Sequence, residues 1–122
     1  MKIYAFGNEF IESDSLAKEL ASKLLFRGYE VVFADKPDVL FDERKAVILD
    51  VAENISSPIL IDKPEQIKTS KVLSLHDLDL ANYIKLLSLL HNFEFKLIAI
   101  PYKGNKEKIL NKVISLLSEI NQ

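Results

Sequence analysis

Met1-Lys-Ile-Tyr-Ala-Phe-Gly7-Asn8-Glu-Phe-Ile-Glu-Ser-Asp14-Ser15 opens the chain. Ile3 to Phe6 is a short apolar run that reads as a buried strand halted at Gly7-Asn8, and an amphipathic pattern starting near Ser15 reads as the helix that follows. Asp14 then falls on a strand-to-helix connection. In open α/β sheets the crevice beyond the carboxyl ends of the strands is where ligands bind.

Outward from this stretch, Leu16, Leu20 and Leu24 recur every four residues with Lys18, Glu19, Ser22 and Lys23 mostly opposite, and Gly28 stands where a helix C-terminus favours glycine. Tyr29 to Ala34 predicts a second strand, closed by a turn at Asp35-Lys-Pro-Asp38. Val39 to Arg44 is compatible with one helical turn. Lys45-Ala-Val-Ile-Leu-Asp-Val51 is the clearest strand: four consecutive apolar residues before Asp50 are what a strand covered by helices on both faces requires. Asp50 is expected at its carboxyl end. Pro58 to Ile61 predicts a short strand near a sheet edge, because proline cannot donate to a ladder. Lys71 to Leu73 is a further short extended candidate. Ser74 to Asp79 reads as a loop leading into a helix, with Asp77 or Asp79 as N-cap. Leu80 to Leu90 is an apolar helix with a narrow polar stripe of Asn82, Lys85 and Ser88, deeply packed or covered by another chain. Phe95 to Ile100 predicts a last strand, and Lys106 to Ile120 a surface helix with Ile109, Val113, Leu116, Leu117 and Ile120 on one face. The alternation implies a three-layer α/β/α domain over residues 1–122, with a mostly parallel central sheet of about five strands.

Composition narrows the function. The 122 residues suit one domain with a sizeable core. Sixteen basic and eighteen acidic side chains give a formal charge of -2 without a basic cluster, which argues against nucleic acid as a partner. No apolar run approaches the ~20 residues of a bilayer span, and the N-terminus lacks the zones of a secretory signal, so a cytoplasmic protein without membrane contact is expected. The absence of Cys removes disulfides, thiolate nucleophiles and thiolate metal sites together. Neither a G-x-G-x-x-G nor a P-loop sequence occurs, and no serine sits in a G-x-S-x-G elbow.

Three side chains stand out by position: Asp14 after the first strand, Asp50 at the end of the third, and His76 before the long apolar helix. Parallel strands would place all three on one rim. Two carboxylates and an imidazole offer three ligands to nickel, zinc or a similar divalent ion. Each also has a structural use: Asp14 as a helix cap, Asp50 in a hydrogen-bonded turn, His76 as a loop histidine. His91, closing an apolar helix, is assigned to the helix dipole and not to the ligand set.

Gly7-Asn8-Glu-Phe-Ile-Glu-Ser-Asp14 resembles the G-N-x-x-x-x-D-[D/E] opening of the hydrogenase maturation endopeptidases. Val47-Ile-Leu-Asp50 is similar to that family's strand ending in Asp, and Ser74-Leu-His76-Asp-Leu to its S-x-H-x-L segment before a long apolar helix. The resemblance implies a three-layer α/β/α enzyme that trims a C-terminal peptide from the nickel-loaded precursor of a [NiFe] hydrogenase large subunit. It implies that Asp14, Asp50 and His76 contact the precursor's nickel and so make up the catalytic and metal-contacting residues of a nickel-dependent, aspartyl-type processing endopeptidase.

The chain also departs from the family pattern. Ser13 stands where the family has Asp, Ser15 and Ala17 where it has glycines, and Ala34-Asp35-Lys36-Pro37 where it has Asp-Gly-Gly-Thr; Val51 replaces an Ala. Lost glycines alter how closely a substrate backbone approaches. The alternative is therefore a non-catalytic metal- or precursor-binding relative, chaperone-like, on the same fold. In a third reading the three polar residues are only caps and turns. The oligomeric state is left open by the apolar helix.

Overall fold

The computed structural model describes residues 2–6, 12–53, 55–69, 74–75, 78–90 and 92–121. The side chains of 12–15, 53, 68–69, 74–75 and 78–79 lie outside that description. Strand β1 spans Lys2–Phe6, helix α1 Glu12–Phe26, β2 Glu30–Ala34, a 3-10 turn Pro37–Leu40, β3 Lys45–Glu53 and β4 Ile59–Ile61. Helix α2 spans Pro64–Thr69, β5 Ser74–Leu75, α3 Leu78–Leu90, β6 Glu94–Pro101 and α4 Lys106–Ile120.

The strands form one sheet in the order β2-β1-β3-β6-β4, with the two-residue β5 attached to β3. β1 pairs with β2 and β3 in parallel, and β3 with β6 in parallel, whereas β4 runs antiparallel to β6 and β5 antiparallel to β3. The mostly parallel α/β/α architecture expected from the sequence is thus present. β4 lies at the sheet edge, as Pro58 requires.

Two apolar layers hold the sheet. On one face α1 and α4 bury Leu16, Leu20, Leu24, Ile109, Leu110, Val113 and Leu117 against Ile3, Ala5, Val47, Leu49 and Ile98. On the other, α3 buries Leu80, Ala81, Ile84 and Leu87 against Tyr4, Phe6, Ile48, Leu97 and Ala99, with Ile67 of α2 packed alongside. Each fully buried Leu, Ile or Phe stabilises the fold by roughly 1.5–3 kcal/mol. The β3 run is apolar without alternation because one set of its residues faces α1 and α4 and the other faces α3. The polar stripe of α3 is narrow, and Leu86, Leu89 and Leu90 near its end are exposed.

Helix ends follow from local chemistry. Gly28 takes φ +96 after α1, a conformation that disfavours any side chain. Asn105 caps α4 by accepting a hydrogen bond from the Lys108 N–H at 3.0 Å. At α2 the Gln66 side chain reaches back to accept from the N–H groups of Asp62 and Lys63, both at 3.0 Å, the returning half of a capping box.

Several boundaries differ from expectation. α1 begins at Glu12 and not near Ser15, because its first turn is polar and the core-facing pattern becomes visible only at Leu16. β3 runs on to Glu53, since β6 and β5 continue the ladder beyond Val51. Helix α2 was not foreseen: six residues beginning with Pro carry too short a period to register. Ser74–Leu75 is a strand and not a loop, and α3 starts at Leu78, which puts Asp79 inside the helix. Gly7, Asn8, Lys71 to Leu73, Asp77 and His91 lie outside the described residues.

Candidate active site

Asp50 is the one charged or polar side chain that is buried among the described residues, at 1% exposure. A carboxylate out of water is costly unless compensated, so such a group marks either a structural network or a functional site. Its position favours the second. Ala5 is level with Leu49 in the β1–β3 ladder, so Asp50 stands level with Phe6, where β1 ends. β3 continues past it for three residues to Glu53. Asp50 therefore lies at the level where β1 ends, and the sequence expectation that it closes β3 is corrected by those three residues.

Strand alternation fixes the face. Ile48 and Ala52, flanking Asp50 at two-residue spacing, belong to the layer beneath α3. Asp50 shares that side of the sheet. The residue is engaged in polar or electrostatic interaction, while its Oδ2 atom is buried and accepts no hydrogen bond among the described residues.

Two other elements reach the same rim. β1 leads from its carboxyl end into α1, so α1 starts there, and Asp14 is the third residue of that helix. The expectation of a loop position for Asp14 is corrected to the first helical turn; its side chain lies outside the described residues. β5 pairs Leu75 with Ala52 and Ser74 with Glu53, which anchors the segment before α3 to the end of β3. His76 lies outside the described residues; its described neighbours in sequence are Leu75 and Leu78, the first residue of α3. Both helices thus begin at the rim where β3 ends, and helix N-termini favour negative charge. Among the described residues no three His, Asp or Glu side chains converge as a metal site.

At the opposite rim, Tyr4 donates a 2.6 Å hydrogen bond from its hydroxyl to Glu43 Oε1. Burial, then this bond and the charges of Glu43 and Glu30, push the Tyr4 phenol up to about 12. Tyr4 and Glu43 line a groove of about 360 Å³ with Lys2, Lys45 and Glu94. This pair went unnoticed in the sequence, where Tyr4 reads only as a strand residue and nothing local links it to Glu43.

The whole chain shares the α/β fold of solved hydrogenase maturation proteases. The [NiFe] hydrogenase maturation protease HybD from Thermococcus kodakarensis matches over 99% of this chain and 98% of its own, with TM-score 0.76 and 16% identity. The endopeptidase HycI from Escherichia coli matches over 100% and 92%, with TM-score 0.68 and 14% identity. The hydrogenase maturating endopeptidase HybD from E. coli matches over 98% and 92%, with TM-score 0.63 and 16% identity. No family model and no curated protein matches the sequence. At these identities the likeness is one of fold, and it agrees with the resemblance carried by the three sequence motifs.

Proposed function

We propose that the chain is a processing endopeptidase that removes a C-terminal peptide from the nickel-loaded precursor of a [NiFe] hydrogenase large subunit. The observation that carries this reading is the match over nearly the full length of both chains to solved hydrogenase maturation proteases. The buried carboxylate of Asp50 supports it. In this reading Asp50 holds the precursor's nickel from the β3 side, Asp14 from the start of α1 and His76 from the segment before α3. Oxygen and imidazole donors suit such an ion. Nickel supplies Lewis acidity, available to polarise the scissile carbonyl or to activate water. The chain's own work is to fix the precursor tail and the ion in one geometry, in keeping with a sequence that has no Cys. No helix among the described residues is long and apolar enough to cross a membrane. The proposed setting is the cytoplasm, where the precursor would be met.

The test is incubation with nickel-loaded and nickel-free precursor, read by intact mass. Loss of a C-terminal peptide only from the loaded precursor is the expected result. Asp50→Asn, which keeps the side-chain volume, should lower the rate at least about a hundredfold, because metal-based charge stabilisation contributes several kcal/mol and each 1.36 kcal/mol is tenfold. Stable binding without trimming would instead favour the chaperone-like reading, which the substitutions at Ser13, Ser15, Ala17 and 34–37 keep in view.

A further inference from the structure

The two long helices on opposite faces of the sheet meet solvent differently. α4 turns Lys106, Glu107, Asn111, Lys112, Ser118 and Glu119 outward, all of them polar. On α3 the buried side is Leu80, Ala81, Ile84 and Leu87. At about 100° per residue the opposite side of α3 is a seam of Asn82, Leu86 and Leu89. Leu89 is 85% exposed and Leu90, on the flank of the seam, 64%. The 3-10 turn extends this surface. Lys36, Pro37 and Asp38 line one cavity with Asn82, Tyr83 and Leu86, so the turn lies along the Tyr83 flank of α3. Leu40 anchors it in the buried layer beneath the helix, while Val39 and Phe41 on either side of Leu40 are exposed.

The exposed parts of Leu86, Leu89, Leu90, Val39 and Phe41 amount to about three whole side chains, or roughly 450 Å² of apolar surface at ~150 Å² for each. That equals the largest apolar patch of an ordinary monomer. Two such patches closed on each other remove roughly 900 Å² from water before their polar margins are counted. The margins bring the contact to the ~1,000 Å² that a specific interface needs.

Charge decides how two copies would sit. Asp38 is on the turn flank of the patch, and Lys85 is on the other flank of the seam. Neither makes a salt bridge among the described residues. A two-fold axis parallel to α3 sets the turn flank of each copy against the Lys85 flank of the other at the same height. Asp38, level with Asn82 to Leu86, then meets Lys85 of the second copy, and the symmetry makes this contact twice. Along the seam Leu86 meets Leu86 and Leu89 meets Leu89. Asn82 meets Asn82, and an amide both donates and accepts, the kind of polar seam pair that fixes register between parallel helices. The turn follows α3 from the level of Asn82 to that of Asn92. An antiparallel pair would therefore set turn against turn, with Asp38 and Asp42 opposed.

We infer that the outer face of α3 and the adjoining turn form an interface for a second copy of this chain, the two helices parallel and Asp38 of each beside Lys85 of its partner. α3 starts at the rim that carries Asp50, and Leu89 lies roughly 17 Å further along it at 1.5 Å per residue. The pair leaves both rims open and stands apart from the proposed protease activity.

Sedimentation equilibrium of the full chain tests it, and the expected species has twice the 13.9 kDa chain mass. Leu89→Glu alters no buried side chain and should weaken association at least about tenfold, because it places a charge in an apolar contact. Phe26→Glu, 92% exposed at the end of α1, should leave association unchanged. Asp38→Lys and Lys85→Asp should each weaken it, and the two together should restore it. A monomer at about 0.1 mM, a dimer insensitive to Leu89→Glu, or a double variant no tighter than the single ones overturns the inference. So does a monomeric chain that uses Leu89 to hold the hydrogenase precursor, which would give the same surface a different occupant.

Discussion

Asp50 spends stability at a place where an apolar residue would fit the layer beneath α3. Ile48 and Ala52 on either side are apolar and buried, so nothing in the strand pattern asks for a carboxylate there, and removing one from water is costly. The sequence made this residue conspicuous because it breaks an apolar run. It could not reveal that β3 continues to Glu53, nor that Asp14 belongs to a helical turn, because those depend on partners distant in the chain. Tyr4 teaches the converse. Its phenol is held up to about 12 by burial and by Glu43, so the neutral form is favoured in the folded state. The corresponding stability is fully present below the ordinary value of 10.0 and is lost as pH rises towards about 12. Tyr4→Phe should cost about 1 kcal/mol at neutral pH. Its deficit against the wild type should shrink across that alkaline range in thermal unfolding, and a constant deficit would contradict the assignment.

Among the elements, local signals served best where chemistry and periodicity agree. α4 begins and ends where its apolar face predicts, and the structure adds the Asn105 cap. Gly28 closes α1 as its position suggested, and a Cβ there would meet nothing within 4 Å. Gly28→Ala is therefore a test of backbone conformation alone: it should destabilise by about 1–2 kcal/mol, measured by urea unfolding. A neutral result would mean that the turn relaxes away from φ +96. Elements of low period escaped. α2 has a single turn and a half, and its Gln66 cap is recognisable only once Asp62 and Lys63 are seen to donate to it. β5 exists because β3 offers it an edge, which two residues cannot announce by themselves.

At the scale of the molecule, the fold class was legible from alternation of strand and helix patterns, while the order of strands was not. Nothing in the sequence places β3 between β1 and β6. The structure does so because β3 is the longest apolar strand and gains most from cover on both faces and both edges. Hydrogen exchange should find the β3 amides slowest to exchange and those of β4, short and at the edge, fastest among the strands. An inverted ranking would be incompatible with this order. The ion pair of Lys18 with Asp35 and that of Lys106 with Glu19 tie α1 to the end of β2 and to the start of α4; the second, exposed on both sides, adds little.

The register of the sheet also carries a timetable. Lys2 pairs with Glu30, less than a quarter of the chain away, but Lys45 pairs with Glu94, about two fifths of the chain away. At about 5–20 residues per second on the ribosome, β3 is made roughly 2–10 seconds before β6. During that interval the N-terminal unit of β1, α1 and β2 can close, and β3 can join β1, yet the apolar run Ala46 to Leu49 waits with one edge bare. The most secure strand of the finished protein is thus the one most in need of protection while the protein is being born.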